Sequence, residues 1–91
     1  MKKLTAHEKI LIFMYINKRN FIGNKDLINL TGSLFIGYEC SARMAEVKNE
    51  FQNFMQTKED GRFKLYKIQW GMLQRQRPET YKRIVELSKN I

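Results

Sequence analysis

Tyr38-Glu39-Cys40-Ser41-Ala42-Arg43-Met44-Ala45-Glu46-Val47-Lys48-Asn49-Glu50-Phe51, with the segment that follows it to Ile68, decides the fold. Cys40, Met44, Val47 and Phe51 recur at spacings of four, three and four, which puts them on one helical face and makes that face core. Tyr38, Glu39, Ala42, Arg43, Glu46 and Asn49 then point outward or flank it. Beyond this helix, Asp60-Gly61 is a two-residue hairpin signal, because both central positions of such a turn need positive φ and these residue types tolerate it. The strands are predicted over Asn53–Glu59 and Arg62–Ile68. Phe54, Phe63 and Leu65 fall on one side of that hairpin and Met55, Tyr66 and Ile68 on the other, so both faces need cover.

Toward the N-terminus, Gly32 and Gly37 bracket Ser33-Leu34-Phe35-Ile36, which is too short for a helix and apolar enough for a brief strand pairing with the hairpin. Asn24 is the expected N-cap of a short helix over Lys25–Leu30, ended by Thr31-Gly32. Thr5 and Glu8 form a Thr-x-x-Glu capping box, in which hydroxyl and carboxylate each accept from the other residue's backbone N–H. The helix that starts there should run to about Arg19, with Asn17 ending its apolar stretch. Ile10, Leu11, Phe13, Met14 and Ile16 make its apolar surface so wide that it must lie between other elements.

Toward the C-terminus, Trp70–Gln76 reads as a turn or short helix, and Pro78 suits the first turn of a last one, where a missing N–H costs nothing. Tyr81, Ile84, Leu87 and Ile91 form the apolar stripe of that last helix. The stripe either caps the core or packs against its copy in a homodimer.

The chain has 91 residues, too few for two self-sufficient cores, so it reads as one domain with a core over 5–68 and a helical extension over 69–91. Its fold class is α+β. A hydrophobic content of 43% is enough to build a core, and a net charge of +8 favours polyanionic partners. One cysteine, Cys40, and one histidine, His7, exclude an internal disulfide and a structural zinc set, so no metal and no cofactor are expected. Cys40 itself reads as a small core residue. The longest apolar run, Ile10–Ile16, is far shorter than a membrane span, and Lys2 and Lys3 ahead of it lead to no cleavage site, so a cytoplasmic protein without membrane contact is expected. There is no Gly-rich phosphate loop and no carboxylate pair with a base, and enzyme activity is not expected.

With this order of elements, Ser41-Ala42-Arg43-Met44-Ala45-Glu46-Val47 resembles the recognition-helix motif Ser-Ala-Arg-Ile/Val-x-Glu-Leu of small winged helix-turn-helix proteins common in bacteriophages and prophages. Thr5 followed by Ile10-Leu11 matches the spacing that opens that family's domain, and the resemblance covers Thr5 to Ile68 by element order. It implies three N-terminal helices and a β-hairpin wing, to which this chain adds a C-terminal helix. It also implies duplex DNA binding by a transcription regulator or accessory factor of phage or mobile-element origin. This chain departs from the family pattern by inserting Ser33 to Tyr38 and by placing Glu39 where a basic or polar residue usually precedes the motif.

Charge by segment sharpens that departure: residues 1–36 carry 6 basic and 2 acidic groups, 37–60 carry 3 and 5, and 61–91 carry 8 and 2. The recognition helix lies in the acidic part of a basic protein, so cations for the DNA backbone would come from the wing and tail: Lys58, Arg62, Lys64, Lys67, Arg75 and Arg77. Arg43 is the family's candidate for a groove contact, against an ion pair with Glu39 or Glu46 across one turn. Tyr38 would stack or cover the helix start, and Asn49 would reach an adenine edge or stay solvated. Trp70 and Tyr66 could stack unpaired bases, or close a core. The rival to DNA binding is a protein-interaction module, an antirepressor, inhibitor or assembly subunit, that grips a protein partner with the acidic third helix or the C-terminal helix.

Overall fold

A computed structural model describes residues 3–91; Lys2, half of the basic pair ahead of the first apolar stretch, lies outside them. Among the described residues are helices α1 (Ala6–Ile16), α2 (Asn24–Leu27) and α3 (Cys40–Phe51), strands β1 (Met55–Asp60) and β2 (Phe63–Ile68), and helices α4 (Trp70–Gln76) and α5 (Pro78–Ser88). The domain is α+β, with a two-stranded antiparallel hairpin packed on a helical body. Among the described residues, no helix is long and apolar enough to cross a membrane.

The Thr5 capping box forms as predicted: the Glu8 N–H donates to Thr5 Oγ1 at 3.1 Å and the Thr5 N–H to Glu8 Oε1 at 3.0 Å. The helix stops at Ile16 rather than near Arg19: the Asn17 backbone leaves the helical region at φ −105° and ψ 38°, and its Nδ2 caps the Phe13 carbonyl at 3.0 Å. Ile10, Leu11, Ile12 and Met14 are buried between the other elements and Phe13 packs partly against them, but Ile16, expected on that surface, lies in the last turn and is 50% exposed.

Three local expectations are corrected. The N-cap of α2 is Gly23, whose N–H donates to Asp26 Oδ2 at 2.9 Å, and the helix ends at Leu27 rather than Leu30. No strand forms over Ser33–Ile36. Gly32 and Gly37, at φ 64° and 87°, fold this segment back on itself, and a 3-10 turn over Gly32–Leu34 buries Leu34 while Phe35 stays 58% exposed. The residue that pairs with the hairpin is Ile22, which exchanges both backbone hydrogen bonds with Tyr66 at 2.7 Å. Finally, Asp60 pairs with Phe63, so the turn is Gly61-Arg62 with only Gly61 at positive φ (63°) and Asp60 inside the strand. Glycine at the first central position is what one of the two favoured hairpin turns demands.

Strand β1 starts at Met55, two residues later than predicted, because a 3-10 turn over Gln52–Phe54 buries Phe54 and accepts from the Gln69 N–H at 2.7 Å. Each hairpin face is covered only near the base of β2, and Phe63 toward the tip stays 54% exposed. Tyr66 and Ile68 join the core, whereas Leu65 lies on the opposite face, where a Cβ at Gly23 would come within 2.7 Å of its Cδ2. Cys40, Met44, Val47 and Phe51 are all buried, which bears out the core face of α3.

Pro78 occupies the first turn of α5, which packs on α1 and α4. Ile84 is 2% exposed, Tyr81 and Leu87 pack against the core, and Ile91 is half exposed. Tyr15, Trp70 and Tyr81 form an aromatic cluster with ring centroids 5.2 to 6.3 Å apart. An ion pair between Arg83 Nε and Glu8 Oε2, at 2.6 Å, also ties α5 to α1. Burial pushes the Glu8 carboxyl up, but the Thr5 N–H and the Arg83 guanidinium outweigh it and hold it below the usual carboxylate range.

Candidate nucleic-acid interface

Helix α3 has two unlike flanks. Glu39, Arg43, Glu46 and Glu50 recur at helical spacing and form one stripe. This stripe faces α1: Glu46 Oε1 lies 2.6 Å from His7 Nε2, and Glu46 Oε2 lies 3.3 Å from Arg43 Nη2. The His7 hydrogen bond holds the Glu46 carboxyl below the usual carboxylate range, and the Arg43 charge reinforces it. Arg43 is therefore paired across one turn on the α1 side, and its Nε is shielded from solvent without a partner.

The other flank carries Ser41, Ala45, Lys48 and Gln52, with no acid. It faces the hairpin, because Lys48 Nζ lies 5.3 Å from the centroid of the Tyr66 ring. Asn49 and Ala42 sit on the outermost line between the two flanks, both exposed. Tyr38 is 95% exposed just ahead of the first turn of α3. Arg62 lies at the hairpin tip, and Lys64 is exposed opposite Glu59, on the same hairpin face as Tyr66.

The sheet divides the cations that the sequence grouped together. Lys58 and Lys67 lie on the hairpin face away from α3, their Nζ atoms 5.7 and 5.4 Å from the centroid of the Phe21 ring. On that face Lys25 Nζ sits 5.2 Å from the Phe63 ring and 3.9 Å from Asp60 Oδ2. Arg77 is at the C-terminal end of α3, its guanidinium 5.5 and 5.7 Å from the rings of Phe51 and Phe54, and Arg75 is exposed on α4. The alternative role weighed for Trp70 and Tyr66, stacking on unpaired bases, is closed to both because they are buried.

Phe21, Lys25 and Lys48 take part in these cation–ring contacts, and sequence reasoning passed them over. Lys48 was within reach, since helical spacing sets it opposite Glu46. Phe21 gave no signal, because a pairing one residue long at Ile22 leaves no periodicity to detect. No family model, curated protein or solved structure matches this chain.

Proposed function

We propose that this chain is a winged helix-turn-helix protein that binds duplex DNA as a regulator or accessory factor of a phage or mobile element. The observation that carries this reading is the sorting of charge across α3. The carboxylates of Glu39, Glu46 and Glu50 share the flank that meets α1, while the flank toward the hairpin carries Lys48 and no acid. A helix entering the major groove by that second flank keeps its acids away from the nearer phosphates. Ser41, Ala45 and Asn49 then face the base edges, Tyr38 lies at the groove rim, and Lys48, Arg62 and Lys64 meet the phosphates.

The test is a titration of labelled mixed-sequence duplex at two salt concentrations. A handful of phosphate contacts should weaken binding about 10- to 1,000-fold between low and physiological salt. Lys48→Glu should abolish most of the affinity, whereas Glu50→Lys should raise it.

A protein-interaction role is favoured by one other observation: Ile28, Phe35 and Tyr38, around the α2–α3 connection, are large apolar side chains left exposed. Absence of duplex binding even at low salt would make that the better reading.

A further inference from the structure

The face of the hairpin turned away from α3 carries a second arrangement of cations and aromatic rings, which the duplex reading does not use. Along β2, Phe63, Leu65 and Lys67 alternate onto this face, and Lys58 joins them from β1 through its pairing with Leu65. Leu65 is sealed beneath Gly23. Phe63 is not sealed: it is 54% exposed at the hairpin tip beside Arg62, with Lys25 against its ring. Phe21, flanked by Lys58 and Lys67, forms the other end of the patch. Asp60, 3.9 Å from Lys25, is the acid on this face of the hairpin, so Lys25, Lys58 and Lys67 together keep the patch positive.

A half-exposed ring set among cations has little to gain from a duplex, whose bases are already stacked. It suits a strand whose bases are free. We propose that this face binds single-stranded nucleic acid, with a base stacked on Phe63 and the backbone phosphates held by Lys58 and Lys67. Stacking supplies affinity without sequence preference, and the lysines supply its salt dependence. This goes beyond the duplex reading and uses side chains on the opposite side of the sheet.

The test is an anisotropy titration of the full chain with a labelled oligothymidylate at low salt, alongside a labelled duplex. The native chain should bind the oligothymidylate. Phe63→Ala should weaken that binding about 5- to 100-fold, the range that loss of one stacked base spans, while Phe63→Trp retains it. Phe63→Leu, apolar but without a π face, should behave like Phe63→Ala. Lys48→Gln, on the other side of the hairpin, should weaken oligothymidylate binding less than Phe63→Ala does, while weakening duplex binding more. The proposal is overturned if the oligothymidylate does not bind, if Phe63→Ala binds it as well as the native chain does, or if Phe63→Leu matches Phe63→Trp. It is equally overturned if inorganic polyphosphate competes as well as unlabelled oligothymidylate, since charge alone would then account for the affinity. A parallel loss of duplex and single-strand binding in Phe63→Ala would merge the two sites into one and also reject it.

Discussion

His7 Nε2 lies 2.6 Å from Glu46 Oε1, so a side chain in the first turn of α1 clasps the middle of α3. The clasp turns a carboxylate of the acidic helix toward the body of the protein, where Arg43 also meets it. Removing that carboxylate frees Arg43 and subtracts one negative charge from the α1 flank of the helix. Glu46→Ala should therefore keep the fold and tighten duplex binding a few-fold for all sequences alike, read as the Kd for two unrelated duplexes. Weaker binding would mean that Glu46 accepts from a base.

Positioning and readout should separate by residue. Arg62→Ala with Lys64→Ala removes two cations from the hairpin and should weaken all duplexes equally, lowering the salt slope by about 1 to 2. Arg43→Ala, on the α1 flank and already paired, should change affinity less than either Lys48→Ala or the double variant. A selective loss for one sequence in Arg43→Ala would restore it as a reader.

Acid sensitivity should be traceable to Glu8. Its carboxyl is lowered in the folded chain from an ordinary value of 4.5, so the stability it contributes is fully present above pH 4.5. That contribution is lost as pH falls through the lowered folded value. Glu8→Gln preserves the capping geometry but not the charge that Arg83 meets. The variant should be less stable than the native chain at neutral pH, and the difference should shrink below pH 4.5 in denaturant unfolding followed by circular dichroism.

Helix α5 should prove integral to the core. Ile84→Ala should cost about 2 to 5 kcal/mol, as for other buried aliphatic truncations, and Ile84→Asp should prevent folding. Ile91→Asp, at a half-exposed position, should stay within about 0.5 kcal/mol of the native chain in urea unfolding.

Close packing at position 23 should show up as coupling. Gly23→Ala puts a methyl group 2.7 Å from the Leu65 Cδ2 and should cost about 1 to 3 kcal/mol. Combined with Leu65→Ala the losses should be less than additive, because the shortened side chain makes room for the new one. Strict additivity in the double-mutant cycle would show that the clash is relieved elsewhere.

What was legible in the sequence is what neighbours along the chain decide. Thr5 and Glu8 are one turn apart, Pro78 presets its own φ, and the core face of α3 follows from spacing alone. Misreadings arose where distant partners decide. Ser33–Ile36 has strand-like composition, but two glycines at positive φ bend it into a turn, and the pairing partner of Tyr66 is Ile22, far along the chain. The glutamate stripe of α3 could be read from its spacing. The flank that meets the hairpin could not, because the core face leaves open which side adjoins α1 and which the hairpin, and the contacts that decide it, to His7 and Tyr66, are distant in the chain.

The two unlike flanks of α3 also fix how the helix can roll. A helix with equal charge on both sides could turn either flank toward a polyanion at similar cost. Here rolling onto the other flank would bring Glu39, Glu46 and Glu50 toward that negative charge and carry Lys48 away from it. If the ligand is a duplex, whose backbone has two-fold symmetry, two copies related by that symmetry would each present the same flank.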